Sequence, residues 1–323
     1  MKLLIVLQHK FELWNAPAWF APKLKQVFPQ LEIVHLSNYE KVEQELRDSE
    51  IVITWSLRPE QFAVARKLRW IHSPAAAVHQ LMFPELVDSD VIITNARDIH
   101  APVVAEHVIA LLFAVAKKIP QAVRLQEKHL WGKDKLEPAE VSDATLGLVG
   151  LGSIGREITK RASALGMRVI AVRQNPEKGS VEGIAQLFPP SKLNEMLGEA
   201  DYVVIAAPRT RETENLFDAQ RLAKLKPQAC LINVSRGALL DESALADALR
   251  NHRLAAAALD VFAEEPLPAG SSLWDLDNLL ITPHTAAVTD KLWDRHYALV
   301  HENLCRFLAG QPLLGLVDKQ KGY

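Results

Sequence analysis

The chain has little cysteine: two residues in 323, Cys230 and Cys305, far apart in sequence. That excludes a disulfide framework and points to a reducing compartment, with the thiols reading first as ordinary buried groups. It has no excess of positive charge either, 37 Lys and Arg standing against 39 Asp and Glu for a formal net charge of −2. A surface without a large positive field offers nucleic acid little to bind, and a small-molecule partner is the better expectation. Long uninterrupted apolar runs are missing, since none reaches the roughly 18 residues a membrane span needs. The opening stretch Met1 to Leu7 is apolar but stops at Gln8-His9-Lys10, too short for a secretory segment, so it reads as a first strand and the cytoplasm is the expected location. Internal repeats and heptads are absent, and with 14 Gly and 18 Pro the chain is not fibrous or disordered.

What is present is a globular composition, 49% apolar and 24% charged, at a length one hydrophobic core seldom serves, so two domains are expected. Short apolar runs at Leu3–Leu7, Ile33–Leu36, Ile51–Thr54, Trp70–His72 and Val91–Thr94 read as strands, and amphipathic stretches lie between them. In one of these, Phe20, Leu24, Val27 and Phe28 fall on a single helical face. Strand, helix, strand in repetition implies parallel pairing, because parallel neighbours need a crossover. Pro102 opens a long helical segment carrying Val104, Val108, Leu111, Leu112 and Val115 and ending near Ile119-Pro120; Gln121 to Asp143 then loses periodicity. A second series follows, with strands at Thr145–Val149, Arg168–Val172, Tyr202–Ala206, Leu231–Val234, Ala257–Val261 and Leu279–Thr282. Six strands with intervening helices suit a dinucleotide-binding sheet. The last helix, Lys291 to Ala309, bears Leu292, Leu299, Asn303, Leu304, Phe307 and Leu308 and needs a partner surface, expected on the first domain.

After the first strand of that second series comes Gly150-Leu-Gly152-Ser153-Ile154-Gly155-Arg156, a Gly-x-Gly-x-x-Gly turn followed by an apolar stripe at Ile154, Ile158, Ala162 and Leu165. The pattern alone is weak; strand before and helix after make it a candidate pyrophosphate site, with tight-turn glycines and free amide donors at a positive helix end. About twenty residues on, an acid normally accepts the ribose hydroxyls of NAD. Here Arg173 holds that place, so NADP(H) is the expected coenzyme with NAD(H) possible, and Lys178 is a weaker second cation. The competing reading of Arg173 is a plain surface charge.

Three later strand exits each carry one chemically useful side chain: Arg236 in Asn233-Val-Ser235-Arg236-Gly237, Glu265 in Asp260-Val-Phe-Ala-Glu264-Glu265-Pro266, and His284 in Thr282-Pro283-His284-Thr-Ala286. Open α/β sheets place ligands at such exits. With the glycine turn and the stretch Asn95-Ala-Arg-Asp-Ile-His-Ala-Pro-Val-Val-Ala-Glu-His107, these motifs, in this order, resemble the D-isomer-specific 2-hydroxyacid dehydrogenase family over nearly the whole chain.

The resemblance implies an α/β fold of two doubly wound parallel-sheet domains. A Rossmann coenzyme domain (97–286) would be inserted in a flavodoxin-like substrate domain built from 1–96 and 287–323. It assigns the catalytic roles to Arg236, Glu265 and His284. Arg236 would grip the substrate carboxylate, His284 would pass a proton to or from the 2-oxygen, and Glu265 would hold the imidazole's tautomer. Arg156 would lie beside the pyrophosphate, Ala207 and Pro208 near the adenosine, and Asp260 near the nicotinamide amide, with Val234, Ser235, His284 and Ala286 completing the coenzyme's contacts. The substrate loop aligns with Ser73-Pro74-Ala75-Ala76-Ala77, where alanine replaces the family's usual glycine; the amides of Ala76 and Ala77 would meet the carboxylate.

The implied activity is hydride transfer between NAD(P)H and the 2-carbon of a small 2-oxo or 2-hydroxy acid, glyoxylate or hydroxypyruvate first. The alternatives are another D-2-hydroxy acid or a coenzyme-sensing binding protein. A homodimer is the family's usual state, and Trp131 is a candidate contact. His72, His79, His100 and His107 lie close in sequence, but their spacing matches no metal motif, so structural roles are expected for them.

Overall fold

The computed structural model describes residues 1–322, apart from the side chains of Arg97 and Lys178. The chain divides into two compact units, Met1–His100 with Val288–Tyr323, and Ala101–Ala287.

The first unit is built on five strands: β1 (Lys2–Val6), β2 (Glu32–Leu36), β3 (Ile51–Thr54), β4 (Trp70–Ser73) and β5 (Ile92–Asn95). They pair in the order β2-β1-β3-β4-β5, and every pairing is parallel. The unbroken apolar strands follow from burial on both faces. Leu3, Ile5, Ile51, Ile53 and Trp70 enter one cluster, while the alternate Leu4, Val6, Val52 and Ile71 enter another. The helix Phe20–Val27 seals the first face through Phe20, Ala21, Leu24 and, at its cap, Phe28. Val27 was expected on that face but is 45% exposed. The helix ends there, and the buried line runs through Ala21, whose small side chain carries a weak periodic signal. The closing helix Leu292–Leu308 buries Leu292, His296, Val300, Asn303 and Leu304, so His296 and Val300 replace the expected Leu299 and Leu308.

The second unit carries seven parallel strands: β6 (Thr145–Val149), β7 (Arg168–Val172), β8 (Gln186–Phe188), β9 (Tyr202–Ile205), β10 (Cys230–Asn233), β11 (Ala256–Leu259) and β12 (Leu279–Ile281). Their order is β12-β11-β10-β9-β6-β7-β8. The direction of winding reverses between β6 and β9, which places a crevice at their carboxyl ends. Alternation again feeds two cores: Val149, Ile205, Leu231 and Leu259 on one face, Leu148, Val204, Ile232 and Ala258 on the other. Each Leu or Ile so buried contributes roughly 1.5–3 kcal/mol.

Two helices differ from expectation. The long helix runs Arg97–Ala116, with Pro102 inside it rather than at its start. One missing N–H costs less than the apolar stretch gains by packing Val104, Val108, Leu111 and Leu112 on the sheet. From Asp98 to Ala116 this helix is long and apolar enough to cross a membrane by length and composition, contrary to the expectation of no such segment. Glu106 and His107 interrupt its apolar run and hid that property. A separate helix, Ile119–Glu127, lies where periodicity was expected to fade, begun at Lys118 in left-handed backbone with a proline in its first turn.

Candidate active site

Three neighbouring strands deliver the catalytic candidates in register. Asn233 of β10 pairs with Leu259 of β11, and Leu259 pairs with Ile281 of β12. Arg236 and His284 each stand three residues beyond those partners, on strands roughly 10 Å apart. The exit of β11 between them carries Glu265. Its Oε2 lies 2.6 Å from His284 Nδ1, and its Oε1 accepts the Phe262 amide at 3.0 Å. A carboxylate accepts, so Nδ1 carries a proton and Nε2 is the edge left for exchange; Nε2 has no partner among the described residues. The side chains of His284 and Glu265 are 42% and 34% exposed.

Burial pushes the Glu265 carboxyl up, but the bonds from His284 and the Phe262 amide, with Arg236 close by, outweigh it and hold the group below its ordinary value. Arg236 is half-buried, and Nη1 donates to the Ser235 carbonyl at 2.6 Å. Burial lowers its guanidinium while the Glu265 charge pulls the other way. A half-desolvated guanidinium with a free face is built to take a carboxylate.

Local chemistry sets the loops. Asn233 accepts the Ser235 amide at 3.0 Å and donates to the Arg236 carbonyl at 3.1 Å, folding the β10 exit back on itself. Gly237 is obligatory there, because a Cβ would run into the backbone of Phe262 and Ala263. His284 has φ +54°, a left-handed conformation costly for any side chain, secured by its amide, which donates to the carbonyls of Asp260 at 2.9 Å and Thr282 at 3.0 Å.

At the exit of β6 the three glycines divide the work. Gly150 has φ +103°, and a Cβ on it would strike the backbone of Ala206 and Ala207; a Cβ on Gly155 would strike the Gly150 carbonyl. At Gly152 a Cβ would meet nothing within 4 Å. The first and third glycines therefore serve packing, and the second faces open space at the start of the helix Ser153–Ala164, which has no side-chain cap. Uncapped amides of Ser153, Ile154 and Gly155 at a positive helix end fit a pyrophosphate. Arg156 is exposed on the same first turn. Ala207 is buried and Pro208 exposed at the exit of β9; the Ser235 hydroxyl donates to the Ala207 carbonyl, joining that exit to the Val234-Ser235 segment. Arg173 is half-buried just past β7, its amide bonded to the Phe188 carbonyl of β8 at 3.0 Å, and its side chain has no partner among the described residues. The Lys178 side chain lies outside the described residues.

Asp260 faces inward. Its carboxylate accepts from the Thr282 hydroxyl and the amides of Thr285 and Ala286. No group of three or more His, Cys, Asp or Glu side chains among the described residues is arranged to hold a metal.

The substrate-loop candidates Ala76 and Ala77 belong to the first unit. Asn95 Nδ2 donates to the Ala76 carbonyl at 2.7 Å, Gln80 Nε2 reaches the Ala77 carbonyl at 3.4 Å, and His100 Nε2 lies 3.3 Å from the Pro74 carbonyl. The amides of Ala76 and Ala77 have no acceptor among the described residues. Neither residue has positive φ, so alanine suffices where a glycine was the expectation. Asn95, Gln80 and His100 were not singled out as loop supports from sequence, because a side chain that bonds a distant carbonyl leaves no local pattern.

Residues 109–286 match a family model described as D-isomer specific 2-hydroxyacid dehydrogenase, NAD binding domain. A D-3-phosphoglycerate dehydrogenase of Methanocaldococcus jannaschii is 30% identical over 301 residues, 92% of this chain and 57% of that protein. A glyoxylate reductase of Pyrococcus furiosus is 30% identical over 291 residues, 87% of this chain and 86% of that one. The structure of an NADPH-dependent glyoxylate/hydroxypyruvate reductase of Sinorhizobium meliloti, in complex with NADP and sulfate, superposes with a TM-score of 0.85 at 28% identity, covering 100% of this chain and 99% of that one. The chain spans about half the length of the phosphoglycerate dehydrogenases it matches.

Proposed function

The chain belongs to the D-isomer-specific 2-hydroxyacid dehydrogenase family, and from that premise we propose that it is a nicotinamide-dependent oxidoreductase acting at the 2-carbon of a small 2-oxo or 2-hydroxy acid. The observation that carries the proposal is the convergence of Arg236, Glu265 and His284 at the exits of three adjacent strands, with the His284–Glu265 contact at 2.6 Å. A nicotinamide coenzyme held at the glycine turn would supply the hydride in reduction and accept it in oxidation. Arg236 takes the substrate carboxylate in its planar fork and orients the 2-carbon. His284 gives a proton from Nε2 to the 2-oxygen during reduction and takes it back in oxidation. Glu265 fixes the tautomer that makes this possible and offsets the charge on the protonated ring.

NADP(H) is the proposed coenzyme, supported by the cation Arg173 at the end of the second strand and by the NADP-bound relative. Glyoxylate or hydroxypyruvate is the proposed substrate, supported by the similarity to a glyoxylate reductase and to a glyoxylate/hydroxypyruvate reductase. A homodimer and a cytoplasmic location complete the proposal; Trp131, 96% exposed, and two free cysteines are the features that favour them.

Loss of reduced-coenzyme absorbance, measured with NADPH and NADH against glyoxylate, hydroxypyruvate, pyruvate and 3-phosphohydroxypyruvate, tests the activity, the coenzyme and the substrate together. NADPH-dependent turnover of the first two acids is expected. His284→Ala should abolish it, and Arg173→Ala should narrow the gap between the coenzymes. Absence of turnover with every acid would sink the enzyme assignment.

A further inference from the structure

Asp260 presents a buried negative charge with its side chain 1% exposed. Oδ1 accepts the Thr282 hydroxyl at 2.6 Å and the Thr285 amide at 2.9 Å, and Oδ2 accepts the Ala286 amide at 2.9 Å. The Asp260 carbonyl accepts the His284 amide, so three consecutive amides, 284 to 286, converge on this one residue. All these donors are neutral. Of the groups bonded to this carboxylate, the one able to carry positive charge is His107 of the helix Arg97–Ala116, with Nε2 3.4 Å from Oδ1 and 3.1 Å from Thr282 Oγ1.

Proton accounting fixes the direction of that last contact. The Thr282 hydroxyl has a single hydrogen and gives it to Asp260, so toward His107 it can only accept. His107 Nε2 therefore carries hydrogen and shares it between Thr282 and Asp260. Burial alone would raise the Asp260 carboxyl; the bonds from His107, Thr282, Ala286 and Thr285 hold it below its ordinary value instead.

We propose that His107 is a positioning residue, an N–H donor on the long helix that clamps Asp260 and Thr282 and through them holds the 282–286 segment with His284 in its left-handed conformation. The proposal rests on the oxidoreductase reading of His284. Without the clamp, the buried carboxylate loses its one ionisable partner and the strained residue loses its outer support, so the imidazole moves off its line to the substrate.

Three variants test this: His107→Phe, which keeps a ring and removes the donor; His107→Gln, which keeps a donor; and Thr282→Val, which removes the relay hydroxyl at nearly constant shape. Steady-state kinetics, NADPH binding by fluorescence and hydrogen exchange of the 280–288 peptide are read together. His107→Phe and Thr282→Val should each lower kcat about tenfold and speed exchange of the 284–286 amides, with substrate KM within about twofold and any loss of NADPH affinity smaller than the loss of kcat, and His107→Gln should restore most of the kcat and the slow exchange. The double variant His107→Phe with Thr282→Val should lose no more than either alone, because both act through one network. Unchanged kcat and exchange in either donor-deleting variant overturns the proposal, as does a His107→Gln protein no better than His107→Phe. If His107→Phe does not fold, Thr282→Val and His107→Gln carry the same decision. A wild type without turnover sinks the oxidoreductase reading alone, since exchange still reports whether His107 holds the segment.

Discussion

Acid should destabilise the protein through its first unit, because that unit buries three imidazoles, His72, His100 and His296, that must stay neutral. His72 on β4 is fully buried; its Nδ1 meets Thr94 Oγ1 at 2.9 Å, its Nε2 has no partner among the described residues, and burial pushes its pKa down to about 4. His296 is 1% exposed with both ring nitrogens unpartnered among the described residues, and it is lowered well below the ordinary range by burial and then by His100 and His72. His100 is lowered by burial, with the Pro74 carbonyl raising it and Arg295 lowering it.

An unfolded imidazole titrates near 6.5. The folded value lies below the unfolded one, so stability is intact above about pH 6.5 and falls as acid protonates the unfolded chain, until the folded pKa is reached. For His72 alone the gap from 6.5 to about 4 corresponds to about 3 kcal/mol in full, of which about 2 kcal/mol is lost by pH 5. Guanidinium unfolding at neutral pH and at about pH 5, followed by tryptophan fluorescence, reads this unit. Trp14, Trp19, Trp55, Trp70 and Trp293 belong to it, and the other two, Trp131 and Trp274, are 96% and 51% exposed already. His72→Val should lose about 2 kcal/mol less than wild type between those conditions, whatever its starting stability. Identical acid losses in the two proteins would refute the reasoning.

Three further substitutions separate packing from chemistry. Glu265→Gln keeps the side chain's size but not the charge beside His284 Nδ1, so kcat should fall about a hundredfold with an unchanged circular dichroism spectrum; kinetics within twofold of wild type would remove Glu265 from the site. Gly152→Ala meets nothing in the protein, so its melting temperature should match wild type while NADPH binding weakens about tenfold; undiminished binding in a fluorescence titration would show that no phosphate approaches there. Gly237→Ala drives a methyl into the backbone of Phe262 and Ala263, and a loss of about 3 kcal/mol or failure to fold is expected, checked by thermal melting; a normal melt would contradict the backbone approach described.

The sequence alone determined the parallel strands, the glycine turn and the order of the three catalytic candidates. Each of these rests on near neighbours: apolar runs buried on both faces, glycines within six residues of one another, and side chains placed just past a strand's end. What escaped was decided by partners far along the chain. Strand β8 is three residues long and shows as a strand through its pairing with β7. Ala21 and His296 are buried because of the surfaces laid against them, which their own hydropathy does not announce. His107 reads in sequence as one histidine among several, and only the parallel crossovers bring its ring to Asp260 and Thr282, the latter 175 residues away. Local propensity travels with the chain, but where a buried charge finds its donors depends on which strands become neighbours, and that is settled when the sheet assembles.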